Sequence, residues 1–217
     1  IWVSSKITRS YTFTISWEEP ITNAQELFKG CTIIKSIDFS KFDMSKIENM
    51  NNMFSSCSNL EEINDFFPKV VEDMSYIFYE CNSLTHIGYN NYFINDNVKY
   101  MRYMFYNCKA LTTINLTFYN NSKVENMEYM LYNCIKLESI EIPSLNTSEI
   151  SNMEYMFYLC ERLTSVNLNS FNVENVLYMN HMFYGCSSLN SLYISAITSK
   201  VTHLEYMFYG CSKISYI

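Results

Sequence analysis

Apolar residues recur along this chain in columns about 26 residues apart. The clearest column is cysteine: Cys31, Cys57, Cys81, Cys108, Cys134, Cys160, Cys186 and Cys211. Every cysteine falls on this one period, which is the signature of a repeat protein. Seven residues before the cysteines stand Met50, Met74, Met101, Met127, Met153, Met179 and Leu204. Four before them stand Met53, Ile77, Met104, Met130, Met156, Met182 and Met207, and three before them a Phe or Leu from Phe28 to Phe208. Leu or Ile follows at three after, from Ile34 to Ile214, and Ile, Val or Leu at six after, from Ile37 to Ile217. The first unit carries Ala24 and Leu27 in the two Met columns and is a degenerate copy.

Two periods alternate within a unit. Apolar positions at −7, −4, −3 and 0 from Cys follow the i, i+3, i+4, i+7 rule and predict an amphipathic helix of about three turns. A β-branched position at −10 leads it, from Ile47 to Val201. Ser45 with Glu48 and Ser122 with Glu125 match a capping box, and Ser148 and Ser199 keep the Ser alone. After the cysteine the pattern switches to period two, as in Ile114 and Leu116, Ile140 and Ile142, Val166 and Leu168, Leu192 and Ile194. That spacing predicts a short strand with one buried face. An aromatic or Leu follows at −15: Phe42, Phe66, Phe93, Tyr119, Leu145 and Phe171.

The predicted fold class is α/β: a leucine-rich-repeat-like solenoid of about eight strand–helix coils over residues 21–217, in which each coil buries its stripe against the next. Helices need about 8–10 Å and strands about 4.8 Å, so the helices are expected on the convex side and the strands on the concave side. Residues 1–20 break the period. Tyr11, Phe13, Ile15 and Trp17 alternate with polar residues and predict a short N-terminal β cap. The chain begins at Ile1 and ends at Ile217 inside a repeat, and is read as a C-terminally incomplete piece of a longer protein.

The motif Cys-x-x-Leu-x-x-Ile-x-Leu, with Val-x-x-Met-x-x-Met-Phe-x-x-Cys, resembles the BspA-type leucine-rich-repeat surface proteins of bacteria and parasitic protists. The clearest copies are Val98–Leu116, Val124–Ile142, Ile150–Leu168 and Val176–Ile194. The resemblance implies a right-handed leucine-rich-repeat-like solenoid, secreted or displayed at a cell surface. It also implies adhesion or protein binding, with a protein or glycan ligand on another cell or host surface.

Composition narrows the chemistry. Net charge is −7 with no Lys/Arg cluster, which argues against a nucleic-acid surface. No apolar run reaches membrane-span length, so no membrane insertion is expected in this segment. No Cys-x-x-Cys pair exists, and His86, His181 and His203 sit at unrelated repeat positions, so no metal site is expected. On helices 8–10 Å apart the cysteines exceed the roughly 7 Å Cα limit for bridging, which predicts free, buried thiols. Carboxylates such as Glu48, Asp73 and Glu125 would favour a helix dipole, and nothing pairs them for acid–base work. No catalytic residue and no cofactor is expected, and the protein is read as a non-enzyme.

The 19 tyrosines remain. At −5 stand Tyr76, Tyr103, Tyr129, Tyr155 and Tyr206, with His181 in the gap; at −2 stand Tyr79, Tyr106, Tyr132, Tyr158, Tyr184 and Tyr209. At about 100° per residue these columns lie roughly 140° and 200° from the core direction and should face outward. They are candidates for a binding surface, or for rings that pack on each other for stability, and the two readings are compatible. An intracellular scaffold or a self-assembling structural protein is the alternative function, and self-association fits either.

Overall fold

A computed structural model describes residues 19–66, 68–88, 95–117, 123–142, 147–194 and 200–215. Among the described residues seven short strands recur, one in each unit from the first to the seventh: β1 Ser36–Asp38, β2 Glu62–Asn64, β3 His86–Ile87, β4 Thr113–Asn115, β5 Ser139–Glu141, β6 Ser165–Leu168 and β7 Ser191–Ile194. Neighbours pair in parallel, β1-β2-β3, β4-β5 and β6-β7, with equivalent residues opposite each other, such as Ile37 with Ile63 and Ile63 with Ile87. From β1 to β7 the chain winds about six turns of a β-solenoid.

The predicted helices are absent among the described residues, which corrects both the α/β class and the count of eight strand–helix coils. The unit around Cys211 contributes turns but no strand among the described residues, and Ile217 lies outside them. So do the predicted cap up to Glu18, Phe93, Tyr119, Leu145, Ser122 and Ser199.

A run of tandem β-turns takes the place of each helix. In the second unit Met53, Ser55 and Cys57 donate their N–H groups three residues back, to Met50, Asn52 and Phe54. The intervening Met50, Asn52, Phe54 and Ser56 donate instead to the next coil, to Asp73, Ser75, Ile77 and Tyr79, at 2.7–3.1 Å. Amides therefore alternate between closing a turn and bonding the coil above. Two residues in each run of turns adopt left-handed backbone. At −5 these are Glu26, Asn52, Tyr76, Tyr103, Tyr129, Tyr155, His181 and Tyr206, with φ of 54–58°. At −1 they are Gly30, Ser56, Glu80, Asn107, Asn133, Leu159, Gly185 and Gly210. A right-handed helix cannot contain them. Reversals every three to four residues still return −7, −4, −3 and 0 to one side, so the apolar pattern is the one a helix would show. Ser45 caps no helix; its N–H is held by Asp43 Oδ1 at 2.8 Å. Residues at −8 introduce the turns in the same way, as Asn49, Asp73 and Asn152 accept the N–H two residues on.

Isolated parallel bridges join the −8 column, Asn23 to Asn49 to Asp73 to Tyr100 to Asn126, and Asn152 to Tyr178 to His203. The turn side is thus hydrogen-bonded coil to coil like the strand side, at a spacing of about 4.8 Å. This removes the expected contrast of wide helical and narrow strand sides. The core columns are as expected from the pattern: the −7, −4, −3 and 0 residues from Cys57 to Cys186 are fully buried. Most of the +3 and +6 positions join them, with Ile87 and Ile140 half-buried. Phe54 and Phe78 stack at 5.6 Å, and Phe157 and Phe183 at 5.2 Å.

Truncating Phe157 to Ala should cost about 3–5 kcal/mol by cavity formation, read from chemical denaturation; a loss below about 1 kcal/mol would remove this column from the core. Far-ultraviolet circular dichroism of the whole chain should lack the helical double minimum, and a strong one would contradict the tandem turns.

Candidate functional site

The thiol column lies inside the coil. Cys57 Sγ donates to Phe28 O of the preceding coil at 3.0 Å, Cys81 to Phe54 O at 3.1 Å, and Cys134 to Phe105 O at 3.1 Å. Cys108, Cys160, Cys186 and Cys211 repeat the contact with Phe78, Leu131, Phe157 and Phe183. All eight are free thiols. The helical spacing expected to hold them apart does not exist: coils at strand spacing bring cysteines within bridging range. The sulfurs from Cys57 to Cys211 are instead occupied as donors to carbonyls. Burial pushes the Cys57 thiol up to about 11 and the Cys134 thiol to about 12, and raises Cys81, Cys108, Cys160 and Cys186 as well. A protonated, enclosed thiol is a poor nucleophile and a poor metal ligand. Among the described residues no three His, Cys, Asp or Glu side chains converge on a metal-sized site.

Tyr76, Tyr103, Tyr129, Tyr155 and Tyr206 form one outer column with His181, and Tyr79, Tyr106, Tyr132, Tyr158, Tyr184 and Tyr209 form the other. Along the −5 column, ring centroids lie 4.7 Å apart from Tyr76 to Tyr103 and from Tyr103 to Tyr129, then 4.6 Å to Tyr155. His181 takes a ring position, 4.7 Å from Tyr155 and 5.2 Å from Tyr206. Along the −2 column the spacings run from 4.5 Å, Tyr132 to Tyr158, to 4.9 Å, Tyr79 to Tyr106. Within a coil the two rings meet tilted, as Tyr129 and Tyr132 do at 5.8 Å. These distances match the coil spacing because the rings ride on a hydrogen-bonded backbone.

The stack changes what the tyrosines offer. Rings from Tyr76 to Tyr184 are half-buried, while Tyr206 is 62% and Tyr209 58% exposed at the end of the described stack. Inside it, neighbouring rings cover each other's faces and leave edges to solvent. Each left-handed Tyr at −5 costs about 1–2 kcal/mol, which stacking worth about 0.5–1.5 kcal/mol per pair offsets. Burial pushes the Tyr103 and Tyr132 phenols up to about 12, and raises Tyr79, Tyr106, Tyr129 and Tyr155 too.

Beside the stack runs a polar strip from the −8 and −6 columns, which the sequence reading did not single out. Asn51 Nδ2 donates to Asp73 Oδ2 at 3.1 Å, Asn152 Nδ2 to Glu128 Oε2 at 3.0 Å, and Asn180 Nδ2 to Glu154 Oε1 at 2.6 Å. A cleft of about 300 Å³ opens in this strip, lined by Asp73, Ser75, Tyr100, Arg102 and Asn126. Its legible signal was the alternation of Asn, Asp and Tyr at −8.

With this geometry in view, the relatives are informative about family and sparing about function. A family described as Mycoplasma protein of unknown function, DUF285, matches residues 15–114 and again 99–216. The chain belongs to this family. Among solved structures it is similar to a leucine-rich-repeat protein of T. pallidum, with 20% identity, a TM-score of 0.49, and 91% of this chain and 73% of that one covered. A leucine-rich cell surface protein of Faecalibacterium prausnitzii is similar at 18% identity and a TM-score of 0.42, covering 90% of this chain and 62% of that one. A leucine-rich-repeat protein of Eubacterium ventriosum shows 16% identity and a TM-score of 0.46, covering 84% of this chain and 59% of that one. No curated protein sequence matches the chain.

Stability should fall in alkali. The folded thiols and phenols hold their protons more tightly than unfolded ones, whose ordinary values are 9.0 and 10.0. Between those values and about 12 the unfolded state binds fewer protons, so the unfolding free energy declines as pH rises. The contribution is complete below pH 9 and is lost progressively toward 12. Denaturant midpoints that stay constant from neutral pH into this range would contradict the burial of both columns. Thiol titration without reductant should find eight groups in denaturant and few in the native protein.

Proposed function

We propose that this chain is a non-catalytic binding module, secreted or displayed at a cell surface, that engages a protein ligand in adhesion through the tyrosine columns. The observation that carries the reading is the two-column stack itself. Its rings are aligned at 4.5–4.9 Å over successive tyrosines, outside the core, with their edges accessible. Solubility alone would favour charged side chains there. A Tyr already immobilised by its neighbours loses little conformational freedom on binding and presents both apolar edge and hydroxyl. The solenoid supplies the rigid support that precise presentation needs. No helix of the described residues is long and apolar enough to cross a membrane. The BspA-type resemblance of the repeat motif supports this reading.

The test uses −2 tyrosines, which have ordinary backbone. The chain, immobilised on beads, is exposed to a panel of purified extracellular-matrix and serum proteins. Saturable binding is expected, weakened about tenfold or more by Tyr106→Ser, Tyr132→Ser and Tyr158→Ser together, a loss of roughly 1.4 kcal/mol or more. Circular dichroism and denaturation confirm that the triple variant is folded, and Tyr132→Ser alone is the milder form. Absence of saturable binding, or binding indifferent to these changes in a folded variant, would refute the ladder as the contact surface.

A further inference from the structure

We propose that the cleft formed by Asp73, Ser75, Tyr100, Arg102 and Asn126 is a carbohydrate subsite that takes one neutral pyranose ring. It is separate from the tyrosine stack and does not depend on a protein ligand binding there.

The first ground is an unsatisfied polar group. Ser75 is 1% exposed, lines the cleft, and its Oγ has no hydrogen-bond partner among the described residues. A buried hydroxyl without a partner is destabilising, and a ligand reaching into the cleft would relieve that. The neighbouring −8 and −6 side chains do not supply the partner. Asp73 is turned to its own coil and the one before, accepting from Ser75 N at 2.8 Å and Asn51 Nδ2 at 3.1 Å. Asn126 Oδ1 accepts Glu128 N at 3.1 Å, which leaves its NH2 group available. The Arg102 side chain makes no ion pair or hydrogen bond among the described residues; its guanidinium lies 5.7 Å over the Tyr76 ring, which sets it beside the cleft with its N–H groups uncommitted. The amide and carboxylate links that close the strip at other coils are missing here.

The second ground is an open aromatic face. Stacked tyrosines cover one another, so a ring-shaped ligand cannot lie on them. Tyr100 stands between Asp73 and Asn126 in its column, 38% exposed, with no aromatic ring against it among the described residues. The Glu125 carboxylate near its hydroxyl holds the phenol above its usual range. Its ring is thus a one-sided platform for an apolar C–H face.

The lining also excludes other ligand classes. A phosphate would meet the Asp73 carboxylate, and a metal cation would meet Arg102. Vicinal hydroxyls suit the set, because each can both donate and accept. They can accept from Arg102 and the Asn126 amide, donate to a second lone pair of Asp73, and do either with Ser75 Oγ. A volume of about 300 Å³ lies at the small end for ligand sites and fits one sugar ring with its glycan continuing outside.

Saturation-transfer-difference NMR on the 217-residue chain tests this, with the methyl glycosides of glucose, galactose and N-acetylglucosamine as probes at millimolar concentration and inorganic phosphate as competitor. Transfer to the ring protons of at least one glycoside is expected, undisturbed by phosphate. Tyr100→Ala should abolish it, and Ser75→Ala and Arg102→Gln should each weaken it about tenfold. Ser75→Ala removes only an unpartnered hydroxyl, so it keeps the test valid if Tyr100→Ala fails to fold. Tyr132→Ser, on the stack, should bind the sugar like the parent. No transfer from any of the three glycosides, displacement by phosphate, or equal transfer in a folded Ser75→Ala and Arg102→Gln would overturn the assignment.

Discussion

Coil-to-coil hydrogen bonding at strand spacing is the constraint on which the rest of this structure depends. Amides at −5, −3 and −1 bond the next coil on the turn side, and strands bond it on the other. Every column of side chains therefore repeats at nearly the same short interval. Aromatic rings need an interval of this size to stack, and thiols need it to reach a carbonyl in the preceding coil. Helices standing 8–10 Å apart could provide neither contact.

The same constraint makes outer and inner columns interdependent. Left-handed backbone at −5 and −1 reverses the chain within each unit and returns Met, Phe and Cys to the interior. At −5 that conformation falls on tyrosine, a residue that resists it, in five of the units. The strain is tolerable because each ring stacks on a ring of an adjacent coil, on both sides from Tyr103 to Tyr155. A tyrosine column that contributes to stability in this way is also rigid, and rigidity is what a recognition surface requires. Stability and binding are thus not competing explanations of these residues. Where the columns lapse, as at Tyr100 and Arg102, the surface opens instead into a cleft with free polar groups.

What the sequence by itself determined was the repeat, the columns and their sidedness. Period, core membership and the outward tyrosines follow from which residues recur at which offset, and burial sorts residues by polarity whatever the backbone does. Secondary structure on the turn side was decided only in three dimensions. A three-turn helix and a run of tandem turns both return positions −7, −4, −3 and 0 to one face, so periodicity could not separate them. The discriminating signal was small: Gly30, Gly185 and Gly210, with Asn107 and Asn133, all at −1, are residues that accept left-handed backbone readily. Tyrosine at −5 carries no such mark, and its conformation is imposed by the stack. The thiol contacts, the covering of ring faces and the cleft beside Ser75 depend likewise on how far apart adjacent coils lie, a distance set by backbone hydrogen bonds between residues some 26 apart in the chain.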